Sequence, residues 1–250
     1  MIRTEHLTKR YGGLIAVNDL NLDIPQGQCF AFLGPNGAGK TTTIKLLAGL
    51  LKPTSGRALV GGYDIQEDPV AARKLIGYVP DMPFLYGKLD PIEFMLFVGQ
   101  LYGMERAKVN RAADELFRIF HLDETRKQLI ENLSHGTRQR LVIASTLLHQ
   151  PRVLIIDEPM VGLDPRSARV VKNVLKQRCR EGMTIFLSTH ILSIAEELAD
   201  QVGILSRGKL IAIGTINQLR EMSGEVGALE DAFLALTRQE EEEGAAARTP

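Results

Sequence analysis

The sequence predicts an α/β fold with a mostly parallel sheet, an antiparallel β edge subdomain and an inserted α-helical subdomain. Three observations carry this. Cys29-Phe30-Ala31-Phe32-Leu33, Val153-Leu154-Ile155-Ile156 and Thr184-Ile185-Phe186-Leu187 are unbroken runs of the kind a strand shows when both its faces are covered. Leu20, Leu22 and Ile24 alternate with Asn21 and Asp23, the period of a half-buried strand in a small antiparallel edge sheet. Between the first two runs, residues 91–149 turn to helical periodicity.

In chain order, the strand at Leu20–Ile24 precedes the run at Cys29–Leu33, and Thr42 to Leu51 then reads as a helix. The next helix opens with Asp90 as cap, Pro91 at the first helical position and Glu93 completing a capping box, while Leu89 and Phe94 are spaced for a hydrophobic staple. Val109, Ala113, Leu116, Phe117 and Phe120 form the core stripe of another helix. After the later strands, Val202 to Ile213 reads as a hairpin turning at Arg207-Gly208. The expected division is one domain over 1–238, with a core lobe from 1–90 and 150–215, a helical lobe over 91–149 and C-terminal helices over 216–238. The run of four glutamates within 239–250 is expected to be a disordered acidic tail.

With 30 basic and 30 acidic residues in 250, no net field draws the chain to nucleic acid or an anionic surface, and no nucleic-acid partner is expected. Two cysteines, Cys29 and Cys179, suit a reducing compartment. The N-terminus carries no apolar signal core, and no apolar run approaches the ~18 residues of a spanning helix. A cytoplasmic location follows as an expectation.

Chemistry concentrates at Gly34-Pro35-Asn36-Gly37-Ala38-Gly39-Lys40-Thr41, which fits G-x-x-x-x-G-K-[ST] between a buried strand and a helix. Glycines let successive N–H groups turn around a phosphate, and the helix start adds its positive end. Lys40 reaches the β- and γ-phosphates, and the Thr41 hydroxyl is suited to Mg²⁺. Asp157 and Glu158 end the strand from Val153, so both carboxylates emerge at its carboxyl edge. Asp157 suits Mg²⁺, and Glu158 suits the polarisation of a water for attack on the γ-phosphate. The core is therefore a P-loop NTPase core.

Leu133-Ser134-His135-Gly136-Thr137-Arg138-Gln139-Arg140 resembles the signature motif of ATP-binding-cassette proteins, usually Leu-Ser-Gly-Gly-Gln. Gly162-Leu163-Asp164-Pro165 resembles the D-loop of that family, and Ser188-Thr189-His190 its switch histidine. The resemblance covers about residues 1 to 235, with the motifs in family order. It implies an Mg²⁺-dependent ATPase in which Gly34, Pro35, Asn36, Gly37, Ala38, Gly39, Lys40, Thr41 and Thr42 bind ATP and Tyr11 stacks on adenine. Lys40, Glu158 and His190 would be catalytic. Ser134 and Gly136 would bind a γ-phosphate across a dimer, and Asp164 would couple the two sites. Thr41, Asp157 and Asp81 would face Mg²⁺. The implied partners are a second copy and separate transmembrane permease subunits, which would hold the chain on the inner face of the membrane.

Two departures stand out. His135 and Thr137 replace the usual Gly and Gln, and Asp81 replaces a usual glutamine after Ile76-Gly77-Tyr78-Val79-Pro80. An acidic residue there, with Leu229-Glu230-Asp231-Ala232-Phe233-Leu234, resembles the drug, antibiotic and sodium efflux sub-group, so export is expected. The alternatives are a superfamily ATPase acting on ribosomes or nucleic acid, disfavoured by the single cassette, and a signalling GTPase, disfavoured by the lack of Asn-Lys-x-Asp.

Overall fold

In the computed structural model, the described residues are 1–82, 84–224 and 228–246, with side chains described up to 240. Strand β1 (Ile2–Tyr11) pairs antiparallel with β2 (Leu14–Ile24). In β2 the expected alternation is present: Leu20, Leu22 and Ile24 are buried while Asn21 and Asp23 are exposed. Next come β3 (Cys29–Leu33), helix α1 (Lys40–Leu47), β4 (Ser55–Val60), β5 (Tyr63–Asp64), α2 (Pro69–Lys74) and β6 (Ile76–Val79). Helices α3 (Pro91–Leu101), α4 (Arg106–Phe120) and α5 (His135–Leu147) follow, and then β7 (Val153–Asp157), α6 (Pro165–Arg180), β8 (Thr184–Thr189) and α7 (Leu192–Leu198). The chain continues through β9 (Gln201–Ser206), β10 (Lys209–Gly214), α8 (Ile216–Ser223) and α9 (Leu229–Ala246).

The larger sheet has six strands in the order β10-β9-β3-β8-β7-β6, parallel throughout except for the β9–β10 hairpin. The smaller sheet, β2-β1-β4-β5, is antiparallel. Both expectations hold. Period-two alternation in the buried strands feeds two separate cores. Cys29, Ala31 and Leu33 of β3 join a cluster with the helical stretch, whereas Phe30 and Phe32 face the antiparallel sheet. The Phe186 ring sits 5.6 Å from Phe30 and 5.3 Å from Phe32 in that second cluster. Burying each such ring stabilises by roughly 1.5–3 kcal/mol.

The start of α3 matches its sequence pattern. Glu93 N donates to Asp90 Oδ1 at 2.8 Å and Asp90 N donates to Glu93 Oε2 at 3.0 Å. In α4 the buried residues are the expected stripe, Val109, Ala113, Leu116, Phe117 and Phe120. Arg138 and Arg140 of α5 bind the preceding connection: Arg138 donates to the Ile130 and Glu131 carbonyls, and Arg140 to those of Phe120 and His121.

The acidic end departs from expectation. α9 continues through the glutamates to Ala246 instead of stopping at residue 238. Glutamate is a good helix former once a helix is nucleated, and Glu240 Oε2 accepts from Ser206 Oγ at 3.0 Å, tying α9 to the end of β9. Residues 247–250 of the expected tail lie outside the described residues. No helix among the described residues is long and apolar enough to cross a membrane.

Candidate functional site

The phosphate loop hangs between β3 and α1, and its shape is enforced from behind. Gly39, at the N-cap of α1, has φ 109°, and a Cβ there would lie 2.2 Å from the Ala16 carbonyl. Only glycine fits so close to another backbone. The turn at Arg207-Gly208 backs the same loop: Gly208 N donates to Ala38 O and Asn18 N donates to Gly208 O, both at 2.8 Å. Lys40 is buried, and its ammonium donates to the Gly34 carbonyl at 2.7 Å and the Pro35 carbonyl at 3.2 Å. Burial pushes its pKa below the usual lysine value, opposed by the charges of Glu158 and Asp157.

Parallel pairing carries the other half of the site to the same sheet edge. Thr41 Oγ1 at the start of α1 donates to Asp157 Oδ2 at 3.0 Å, and Ser188 Oγ at the end of β8 donates to Asp157 Oδ1. Asp157 is itself buried. Glu158 leaves β7 with φ 49°, left-handed for a non-glycine residue, and its N–H donates to Ser188 O at 3.1 Å. Such strain persists where surrounding contacts impose it, and it cocks the Glu158 side chain at the strand end. The Glu158 carboxylate lies 2.8 Å from His190 Nδ1 through Oε1, while Oε2 is buried without a hydrogen-bond partner among the described residues.

Ser134, Gly136 and Asp164 assemble around the starts of α5 and α6. Ser134 caps α5, its Oγ accepting from Thr137 N at 3.2 Å and lying 2.8 Å from Thr137 Oγ1. Thr137 Oγ1 also accepts from Arg140 Nη2 at 3.4 Å, so the threonine at the usual glutamine position ties the cap to the arginine. Asp164 caps α6, accepting from Arg166 N, Ser167 N and Ser167 Oγ. Those bonds, the Ser167 hydroxyl first, hold its carboxyl below the usual aspartate range. A Cβ on Gly136 would lie 3.4 Å from both Asp164 Oδ2 and Ser167 Oγ.

The sequence-predicted residues therefore fall into two groups. Lys40, Thr41, Asp157, Glu158 and His190 form one, and Ser134, Gly136 and Asp164 form the other. Tyr11 and Asp81 touch neither directly in the bonds described. Tyr11 ends β1 half-exposed, with Lys9 Nζ 5.2 Å from its ring centroid. Asp81 is exposed just past β6; its charge, with that of Asp157, adds to burial in raising the pKa of Tyr78. Sequence reasoning gave no role to Ser188, although it begins the Ser188-Thr189-His190 stretch and its position at the end of a buried strand was the available signal.

A glycine-rich loop between a buried strand and a helix, backed by a Thr–Asp–Ser bond chain and a Glu–His pair at the same sheet edge, defines a P-loop nucleotide hydrolase. A helical stretch placing a hydroxyl-capped signature helix beside Asp164 narrows the class. The family model of the ABC transporter matches residues 17–161, and the chain belongs to that family. It is an ATP-binding, ATP-hydrolysing subunit of the transporter type. The linearmycin resistance ATP-binding protein LnrL of Bacillus subtilis is 36% identical over 245 residues, covering 95% of this chain and 79% of its own. The bacitracin transport ATP-binding protein BcrA of Bacillus licheniformis is 41% identical, covering 84% of this chain and 68% of its own. A solved ATP-binding subunit of an ABC transporter superposes with TM-score 0.89 at 32% identity, covering 95% of this chain and 99% of its own. A dimeric cassette in a post-hydrolysis state bound to ADP and phosphate superposes at 0.79 with 25% identity, over 86% of this chain and 98% of its own.

Proposed function

We propose that two copies of this chain close on two ATP molecules and drive export through separate permease subunits. The observation that carries this is the division of one chain's site residues into two groups. Ser134 and Gly136 make their contacts with Thr137, Leu163, Asp164 and Ser167, a set distinct from that around Lys40. The start of α5, with a hydroxyl and free N–H groups, suits a γ-phosphate presented by a facing copy. Relatives named for linearmycin resistance and bacitracin transport support export as the direction.

Within each composite site, the loop from Gly34 to Thr42 wraps the phosphates, Lys40 neutralises β- and γ-oxygens, and Tyr11 stacks on adenine through its exposed face. The residues present fit Mg²⁺: Thr41 Oγ1 and Asp157 Oδ2, 3.0 Å apart, are hard oxygen donors beside the loop, and Asp81 offers another carboxylate from the end of β6. The ion would neutralise charge on the β- and γ-oxygens when bound. Glu158 accepts the proton of the attacking water as its oxygen bonds to the γ-phosphorus and the bond to the β-bridging oxygen breaks. The Glu158 carboxylate, which makes no bond through Oε2 among the described residues, is the group assigned that proton. His190, held on Oε1 through Nδ1, has Nε2 left for the γ-phosphate; donating at both nitrogens requires the imidazolium.

The surface suited to a permease lies between β6 and the helices. A 460 Å³ groove is lined by Leu50, Arg73, Tyr78, Phe84, Phe94 and Tyr102 among others, and Phe84 is 82% exposed beside it. A soluble domain seldom leaves such rings bare without a partner. Through that partner the chain would sit peripherally on the cytoplasmic face of the membrane.

Mixing tests the two-copy site. Lys40→Ala and Ser134→Arg chains, each inactive alone, should together recover hydrolysis from one intact composite site. Wild-type rate should also rise faster than linearly with protein concentration. A mixture as dead as its parts, with a wild-type rate linear in concentration, would overturn the reading.

A further inference from the structure

The loop that carries Glu158 and Asp164 passes directly beneath the ring of His135. Gly162 has φ 72°, and a Cβ there would lie 2.7 Å from His135 Nε2 and 2.9 Å from its Cδ2. A side chain at 162 would therefore meet the His135 ring, and either the ring or the loop would have to shift. His135 is the first residue of α5, next to Ser134, and replaces the glycine usual at its place in the signature. One step further along, Gly136 approaches Leu163, Asp164 and Ser167. The start of α5 thus lies against the stretch from Gly162 to Ser167, with the His135 ring beside Gly162.

Two backbone bonds lie within the loop. Val161 N donates to Glu158 O and Leu163 N to Met160 O, both at 3.3 Å. Its first end is pinned by Glu158 N to Ser188 O and by the pair of Glu158 with His190. Its far end is pinned by Asp164 capping α6. Gly162 stands four positions from Glu158 in the chain, so a displacement there acts close to the pinned end of the loop.

We infer that His135 is a positioning residue: when the signature helix takes the phosphate of the facing copy, the His135 ring presses on Gly162 and sets Glu158 of its own chain for attack. This rests on the two-copy reading above and deepens it. It makes hydrolysis in one site depend on occupancy of the other within a single chain, through a contact that a glycine at 135 would lack.

The test compares His135→Gly, His135→Phe, Gly162→Ala and the double variant His135→Gly/Gly162→Ala in the purified full chain. The readouts are kcat and KM for MgATP, and the ATP-driven dimer by light scattering in a Glu158→Gln background. His135→Gly should lower kcat about fivefold or more while KM moves less than about twofold and the dimer still forms. His135→Phe, which keeps a ring over Gly162, should keep most of kcat. Gly162→Ala should lose activity through the clash and through strain at φ 72°, and the further loss it causes in the His135→Gly background should be smaller than its loss in the wild-type background. Wild-type kcat in His135→Gly overturns the inference. So does loss of dimer in parallel with kcat, or a double variant whose losses simply multiply. If the wild-type chain neither dimerises with ATP nor shows a superlinear rate, the two-copy reading has failed and the inference falls with it.

Discussion

His190 Nδ1 meets Glu158 Oε1 at 2.8 Å, and this bond leaves the second carboxylate oxygen buried and unpaired among the described residues. Oε1 is thereby engaged by the imidazole, while Oε2 makes no bond to any described group.

Glu158→Gln should bind MgATP with near wild-type affinity, lose about 100-fold or more of kcat, and accumulate as an ATP-bound dimer. The amide keeps the shape and the His190 contact but has no basicity for the water proton. Lys40→Ala should fail earlier, losing nucleotide affinity itself, because on the proposed reading the ammonium held at the Gly34 carbonyl would contact the phosphates. A nucleotide titration followed by single-turnover hydrolysis separates the two. Retained turnover in Glu158→Gln would remove it as the base.

Much of this site was legible because its parts are local. The phosphate loop follows an apolar strand, and Asp157-Glu158 ends another, so the strand–edge geometry could be read from residue order alone. The contact of His135 with Gly162 could not, since it joins segments on two different elements. For strand β1 the sequence did not reveal the irregular pairing. Its register with β2 shifts between Thr4 and Leu7, between Leu7 and Lys9 and again before Arg10, and each bulge breaks the period of two. The acidic end misled because charge density argues for solvation, whereas an existing helix extends readily through glutamates.

Asp164 separates a structural role from a functional one by pH. Its folded pKa is depressed by the Ser167 hydroxyl and by the Ser167 and Arg166 N–H groups. A depressed carboxylate contributes stability above its unfolded value and loses it as pH falls through its folded one. Asp164→Ala should therefore melt lower than wild type at neutral pH, and the gap should close as pH drops below about 4. Asp164→Asn keeps an acceptor for the α6 N–H groups and should melt near wild type. If it also hydrolyses ATP at the wild-type rate, Asp164 is a helix cap and does not couple the two sites.

Asp81 and Phe84 bear on how closure reaches a permease. Asp81 follows β6, and its charge, with that of Asp157, adds to burial in raising the pKa of Tyr78. Beyond it, Met82 is 86% and Phe84 82% exposed. The Phe84 ring meets Tyr86 edge-on at 5.7 Å, and Tyr86 meets Phe97 of α3 at 5.2 Å, so the exposed segment is braced on the helical stretch. An aspartate is shorter than the usual glutamine and carries full charge, and Mg²⁺ tolerates little deviation from octahedral oxygen geometry. Asp81→Asn should weaken the Mg²⁺ dependence of hydrolysis and reduce permease-stimulated turnover more than the turnover of the chain alone. Phe84→Ala should leave hydrolysis by the chain alone intact and impair co-purification with the permease. Both are measured as ATPase activity of the isolated chain and of the reconstituted complex across a magnesium titration. Equal proportional losses in the two settings for both variants would make residues 81–86 a structural element and sink the relay.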